Sequence, residues 1–167
     1  MKQFLVGFLV LQTILFALEM LTITQTYVIL PWTSFLAWLS AGLLSLLDPH
    51  VAASGKVIAS TLKPFAISIE PGCNGVEAMI ILIAAITVFP ATWGERLKGL
   101  AWGLIAIQGL NLVRIISLFY LGQWNETWFE WAHLYLWQAL IMLDALVVFL
   151  IWVRYVSKKA QLKAVAA

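Results

Sequence analysis

Long apolar runs with almost no charge constrain this chain more than any other feature of its sequence. A helix needs roughly 20 apolar residues to cross a bilayer, and five runs come close to that length. They are residues 4–23, 28–47, 76–93, 97–121 and 133–153. Because 63% of the 167 residues are hydrophobic and 11% are charged, a soluble core of this size could not bury them. We expect one all-α integral membrane domain, residues 1–167, with about five transmembrane helices.

The segment between the second and third runs differs from the rest of the chain. Residues 48–75 contain Pro49, Pro64 and Pro71 and are too polar and broken to span a membrane. Residues 65–70 alternate apolar with small or polar side chains, as a short β-strand does. We predict a loop on the outer membrane face that contains this strand and leads to the cysteine motif.

The distribution of charge predicts the orientation. Arg96 and Lys98 follow the third run, and residues 154–167 form a basic tail, so both regions should be cytoplasmic. The connection 122–132 carries acidic residues and no basic ones, so it should lie outside. Five spans would place the N-terminus outside, whereas Lys2 favours the cytoplasm. The sequence therefore leaves open whether one of the first two runs is re-entrant.

Charge and cysteine content exclude several classes of protein. The formal net charge is only +2, and no basic stripe is interleaved with aromatic residues, so we expect no nucleic-acid partner. Cys73 is the only cysteine, which rules out a disulfide within the chain and a thiolate metal cluster. We expect neither a metal nor another cofactor.

Three reactive side chains are predicted to lie on one side of the bilayer. Cys73 precedes the third run, His133 begins the fifth, and Arg114 lies seven residues before the outer end of the fourth. At a rise of 1.5 Å per residue, Arg114 is roughly 10 Å deep, a distance that its side chain can largely span. Folding of the helices could bring these three residues together.

Each of the three has a chemical reason to be at such a site. Cys73 lies in Pro-Gly-Cys73-Asn-Gly before a helix, whose free N–H groups favour a thiolate and could bind an oxyanion. His133 could take the thiol proton and later protonate a leaving amine. Arg114 could stabilise a developing oxyanion with its planar fork of donors.

Three further residues could support this centre. Asn74 could cap the helix or donate to the oxyanion. Asn111 lies three residues before Arg114 on nearly the same helix face and could orient the guanidinium. Glu77 could orient a partner of the site, or it could be an ordinary acid at a helix start.

Structural roles remain open for the same residues. Cys73 could be a small packing residue, and His133 could be an interfacial polar residue. A charge within a span costs at least ~2.5 kcal/mol, so Arg114 is either functional or paired. Its structural alternative is an ion pair with one of three acids: Glu19, Glu77 or Asp144. We expect Asp144 itself to pair within the bundle.

Two rival functions also remain open. A non-catalytic membrane subunit or small transporter would use the buried charges as ion pairs or as a polar path. A lipid-modifying transferase would need a cluster that binds phosphate, and the outer side offers only Lys56, Lys63 and Arg114 as cations.

Three short motifs resemble those of the exosortase/archaeosortase family. They are Pro-Gly-Cys73-Asn-Gly before an apolar helix, Asn111-Leu-Val-Arg114-Ile late in the next, and His133 at the start of the last. The resemblance covers roughly residues 40–155. The family usually has Cys-Ser-Gly, so Asn74 is a departure. The short chain is similar to a compact branch such as exosortase H.

The resemblance implies a membrane-embedded cysteine protease or transpeptidase of a bacterial inner membrane, with its active site facing the periplasm. Its substrates would be exported proteins that end in a short motif, a hydrophobic helix and a basic cluster. Cys73 would form a thioester, Arg114 would stabilise the oxyanion, and His133 would protonate the leaving amine. Water or an unidentified acceptor amine would then release the product. Membrane lipid would surround the helices.

Overall fold

The computed structural model describes residues 2–165, so residue 1 of the expected domain and residues 166–167 of the expected tail lie outside the described part. The fold is helical with one small sheet, which confirms the expected class of membrane protein. The helices are α1 (Lys2–Glu19), α2 (Thr22–Thr24), α3 (Leu30–Leu44), α4 (Val76–Val88), α5 (Trp93–Trp124), α6 (Glu126–Trp131) and α7 (Trp137–Val165). Wider π-helical turns, Gln25–Ile29 and Ala132–Leu136, join α2 to α3 and α6 to α7.

Within residues 2–165, four continuous helices are long and apolar enough to cross a membrane: Lys2–Glu19, Thr22–Leu44, Trp93–Trp124 and Glu126–Leu162. The third predicted run is shorter than expected, because α4 has 13 residues and ends at Val88. The predicted basic tail is not a separate segment, since α7 continues through it to Val165. Large apolar side chains remain exposed along these helices, as lipid-facing surfaces require.

Polar residues at the helix boundaries explain where two of the helices begin. Thr92 and Glu95 form a capping box at the start of α5, in which each side chain bonds the backbone N–H of the other. Asn125 separates α5 from α6, and its side-chain oxygen accepts a hydrogen bond from the Trp128 N–H at 3.0 Å. These caps fix the turns at opposite ends of α5.

The predicted loop between α3 and α4 folds into a three-stranded antiparallel sheet. Its strands are β1 (Val51–Ser54), β2 (Val57–Ser60) and β3 (Ala66–Ser68), in the order β1-β2-β3. Gly55, at φ 55°, closes the hairpin between β1 and β2. The strand predicted at residues 65–70 is confirmed by β3, whereas β1 and β2 were not predicted.

Two hydrophobic clusters hold the bundle and the sheet together. One joins α3, the sheet and α5, and its fully buried members include Leu36, Ile58 and Phe119. The other joins α4, α5 and α7 around Leu82 and Ile107. Because α5 contributes to both clusters, it connects the sheet end of the molecule to the opposite end.

The first two apolar runs pack against different elements, α1 against α4 and α3 against the sheet. The Phe4 ring lies 6.1 Å from that of Phe89 at the end of α4, so α1 begins at the end of the bundle opposite the sheet. α3 instead stays at the sheet end, where the Trp32 indole N–H donates to the Asn74 carbonyl at 3.4 Å and Leu44 joins the cluster around the sheet. Lys2 therefore lies at the same end of the bundle as Arg96 and Lys98, whereas the course of the second run through a membrane stays a prediction.

Candidate active site

Cys73 lies in the loop that joins β3 to α4. Gly72 and Gly75 flank this region at φ 84° and φ 74°, values that favour glycine. The Cys73 N–H donates to the Glu70 carbonyl at 2.9 Å, which closes the turn. Glu77, in the first turn of α4, accepts a hydrogen bond from the Gly72 N–H at 2.5 Å. Glu77 thus fixes the loop that carries the cysteine.

Asn74 is completely buried and anchors the loop on three helices. Its side-chain oxygen accepts from the Val76 N–H at 3.0 Å, which forms an Asx turn leading into α4, whose N-cap is Gly75. Its amide donates to the Thr33 hydroxyl at 3.4 Å, and its carbonyl accepts from the Gln108 amide at 3.3 Å and from Trp32. Asn74 therefore binds the first N–H of α4 without being its N-cap, and its amide donates to Thr33 rather than toward the sulfur. Trp32, Thr33 and Gln108 carried no sequence motif that could have identified them.

Arg114 is buried and is directed at the cysteine loop. Its Nη1 donates to the Gly72 carbonyl at 3.0 Å, and its Nη2 donates to the Cys73 Sγ at 3.4 Å. The ion pairs among residues 2–162 are Lys56–Glu70 and Lys159–Glu95, so Arg114 forms none with the three acids considered as its structural partners. The ion-pair interpretation of Arg114 is therefore wrong for the described part of the chain.

His133 completes a three-residue cluster around the sulfur. Its Nε2 lies 2.9 Å from the Cys73 Sγ. Its ring stacks on Phe129 with centroids 5.6 Å apart and planes 18° from parallel. His133 belongs to the π-helical turn, a feature that is frequent at functional sites because it re-aims a side chain within a helix. Phe129 was not singled out from the sequence.

A cavity of about 450 Å³ opens onto the cluster. Cys73, Arg114 and His133 line it together with β3, and Gly122 and Glu126 lie on another wall. Arg114 and His133 lie 41 and 60 positions after Cys73 in the sequence, yet all three side chains meet at one cavity. Among residues 2–165, no group of three or more His, Cys, Asp or Glu side chains is placed to hold a metal ion.

The electrostatic environment differs from the one expected for Cys73. Burial raises the pKa of the Cys73 thiol above its ordinary value, and the charges of Glu77 and Glu70 add to this effect. The Arg114 guanidinium lowers the pKa but does not outweigh burial. The helix N-terminus was expected to favour the thiolate, but α4 begins at Val76, three residues after Cys73, and burial shifts the pKa of the thiol in the opposite direction. A protonated thiol can donate to the His133 Nε2 when that ring nitrogen carries no proton.

Two other expected contacts are absent within residues 2–165. The Asn111 amide donates to the Gln108 side chain at 3.5 Å and its oxygen has no partner, so Asn111 does not orient the guanidinium. Asp144 is buried and its Oδ2 has no hydrogen-bond partner in this part of the chain. The pairing of Asp144 predicted within the bundle is therefore not observed.

Fold and site together define a multi-pass membrane protein with a half-buried thiol, a half-buried imidazole and a buried guanidinium at one end of its helical bundle. A comparison with protein-family models matches residues 2–153 to the transmembrane exosortase family (Exosortase_EpsH). The chain belongs to this family of membrane transpeptidases and proteases. The resemblance indicated by the three motifs is thus confirmed for the family. Neither the curated proteins nor the solved structures contain a match to the chain.

Proposed function

We propose that this protein cleaves the C-terminal sorting signals of exported proteins through a thioester on Cys73, at the periplasmic face of a bacterial inner membrane. One observation carries the proposal: the Cys73 Sγ lies 2.9 Å from the His133 Nε2 and 3.4 Å from the Arg114 Nη2. The Sγ–Nε2 distance lies within the reach of a nucleophile and its base, and the guanidinium lies beside the sulfur, near where an oxyanion would form. Family membership supports the reaction class.

The acylation step follows from these contacts. The Cys73 thiol transfers its proton to the His133 Nε2 as the sulfur bonds to the scissile carbonyl carbon. The carbonyl oxygen becomes an oxyanion, which the Arg114 guanidinium stabilises. The C–N bond then breaks, and His133 gives its proton to the departing amine. A thioester on Cys73 remains.

The deacylation step uses the same groups in reverse. Water or an acceptor amine gives a proton to the His133 Nε2 and attacks the thioester carbonyl. Arg114 stabilises the second oxyanion. The C–S bond breaks, and the sulfur recovers its proton from His133. Hydrolysis and transpeptidation differ only in this second nucleophile.

The position of the site fits a substrate with a hydrophobic helix and a basic end. Cys73 precedes α4, whereas Arg96 and the Glu95–Lys159 ion pair lie at the other end of the bundle. A substrate helix that lies beside the bundle with its basic end in the cytoplasm would bring the segment before the helix to the level of Cys73. The scissile bond would then lie outside the lipid core.

The rival functions lack the features that they require. A transporter built on buried ion pairs needs charge partners for Arg114 and Asp144, and the described residues provide none. A lipid transferase needs a group of cations to bind phosphate. Lys56 is engaged with Glu70 at 2.6 Å, and Arg114 is the cation that lines the cavity.

Trapping the thioester tests the proposal. The wild-type protein is expressed with an exported reporter whose tail comes from a host protein ending in an apolar helix and a Lys/Arg cluster. We expect a shortened reporter and a covalent adduct on Cys73, both of which Cys73→Ala and Cys73→Ser abolish. Ser40→Ala is the matched control, since Ser40 is fully buried outside the cavity and its hydroxyl has no partner within residues 2–165. Normal tail removal by a well-accumulated Cys73→Ala variant would end the protease interpretation.

A further inference from the structure

The outer edge of β3 forms one wall of the active-site cavity. In the order β1-β2-β3, β3 has a neighbouring strand on one side only. Five consecutive residues, Phe65 to Ile69, line the cavity. Successive side chains of a strand point to opposite faces, so a cavity that touched one face would meet only alternate residues. The cavity therefore meets the strand along its edge.

The register of the sheet shows which backbone groups this edge presents. The Phe65 carbonyl accepts from the Ser60 N–H, and the Ile69 N–H donates to the residue before β2, both at 3.0 Å. In an antiparallel ladder, alternate residues bond to opposite sides. Ala66 and Ser68 lie between the bonded positions, so their N–H and C=O groups point away from β2 and toward the free edge.

The side chains along this edge leave room for another strand. Ala66 and Ser68 are exposed and small, whereas Phe65 and Ile67 pack against the hydrophobic cluster beneath the sheet. Gly122 faces this wall from α5, where an added Cβ would lie 2.3 Å from the Phe65 ring. The absence of a side chain at Gly122 thus lets Phe65 pack inward.

We propose that the extended substrate segment containing the scissile bond binds by adding to β3 as a fourth strand. This inference rests on the proposed function and specifies how the same site holds its substrate. The occupant is a peptide backbone, because only a backbone supplies donors and acceptors at the spacing that Ala66 and Ser68 present. Binding along the edge orders the segment beside Cys73 and His133, which line the same cavity. Lipid tails and detergents cannot form this ladder.

Disulfide scanning tests the inference independently of catalysis. Because Cys73 is the only cysteine, a Cys73→Ala background is free of thiols. Ala66→Cys or Ser68→Cys is combined with the same tail-bearing reporter, which carries one cysteine moved stepwise through the segment before its helix. Residues directly opposite in a strand pair have Cβ atoms roughly 4.5–5.5 Å apart, near the reach of a disulfide.

We expect each variant to cross-link strongly at one reporter position, and the two favoured positions to differ by two residues. Ala52→Cys is the matched control, since Ala52 is an exposed alanine of β1 at the opposite side of the sheet. It should cross-link only at background. Equal yields for residues 52, 66 and 68, or no preferred reporter position, would overturn the inference.

A proline substitution tests the same edge in the active protein. Ala66→Pro removes an N–H that β2 does not use, a position where an edge strand tolerates proline. Loss of one hydrogen bond should lower the rate of reporter processing roughly two- to tenfold. Alkylation of Cys73 by iodoacetamide should be unchanged. Unaltered processing would contradict strand addition, whereas failure of the wild-type protein to process the reporter would instead refute the proposed function.

Discussion

Arg114 and His133 contact one sulfur atom from two different helices. Arg114 also bonds the Gly72 carbonyl, so the guanidinium holds the loop as well as the thiol. A guanidinium offers five donors in a fixed plane, so these two contacts leave further N–H groups of Arg114 available to a substrate. The geometry of the fork is therefore as important as the charge.

Replacing Arg114 with lysine separates geometry from charge. An ammonium keeps the charge but cannot bond the Gly72 carbonyl and the sulfur in one plane. We expect Arg114→Lys to lower the processing rate about 10²–10³-fold, the loss typical of a missing oxyanion donor. The measurement is the rate of reporter shortening in membranes that contain equal amounts of each variant. Wild-type activity in Arg114→Lys would leave Arg114 as a structural charge only.

The protonation state of Cys73 predicts how its reactivity depends on pH. Burial raises the pKa of the thiol, so at neutral pH the protonated form dominates and the thiolate fraction grows as pH rises. Below its pKa, the rate of alkylation by iodoacetamide should increase about tenfold per pH unit. The midpoint of this pH profile for Cys73 should lie at higher pH than the midpoint for Ser54→Cys in a Cys73→Ala background. Ser54 is exposed, so burial does not raise the pKa of a thiol placed there. A midpoint below this control would instead indicate a thiolate–imidazolium pair.

The site residues differ in how well the sequence predicted them. The sequence predicted the meeting of Cys73, Arg114 and His133 because each is a reactive residue near a helix end on the same side of the bilayer. Asn111 was predicted on helix spacing alone, and its side chain turns instead toward Gln108. Spacing places two residues on one face but does not determine a rotamer, which depends on neighbours from other helices.

At the scale of elements, the turn before α4 sets the position of the nucleophile. Gly75 has a left-handed backbone at φ 74°. A Cβ added there would lie 2.7 Å from the Gln108 amide nitrogen and 3.3 Å from the Asn111 side chain. Gln108 could move away only by giving up its bond to the Asn74 carbonyl. The turn therefore requires glycine for both its conformation and its space.

We predict that Gly75→Ala displaces the cysteine loop. A displacement on the order of 1 Å at a reacting atom can cost roughly 10²-fold in rate, so reporter processing should fall by about that factor. Gly42→Ala is the matched control, since Gly42 lies in α3 with no atom within 4 Å of an added Cβ. The two variants are compared for accumulation and for processing. Equal processing by Gly75→Ala and the wild-type protein would show that the left-handed turn is dispensable.

The sheet was the least predictable element. β1 and β2 have four residues each, and β3 has three, so alternation extends over too few positions to separate strands from loop. β3 was recognised because Phe65, Ile67 and Ile69 alternate with small or polar residues. The hairpin before it depends on packing against α3 and α5, which only the folded chain reveals.

At the scale of the whole molecule, run length identified the apolar segments but not their arrangement. The second run is apolar enough to span a bilayer, and α3 packs against the sheet at the site end. The positive charges add a predicted orientation, because they distinguish the two ends of the bundle. Lys2, Arg96 and Lys98 belong to one end, and Cys73 belongs to the other.

This arrangement predicts which positions a membrane-impermeant maleimide reaches in intact cells. In the Cys73→Ala background, Ala52→Cys on the sheet should be labelled from the periplasm. Lys2→Cys and Gly94→Cys should be labelled only after the inner membrane is permeabilised, because both lie at the basic end. All three positions are exposed on the protein, so a difference in labelling reports the side of the membrane rather than burial. Labelling of Lys2→Cys in intact cells would contradict the path of α1 along α4. Labelling of Gly94→Cys in intact cells would place that end of the bundle in the periplasm and the Cys73 thiol in the cytoplasm, where it could not reach exported tails.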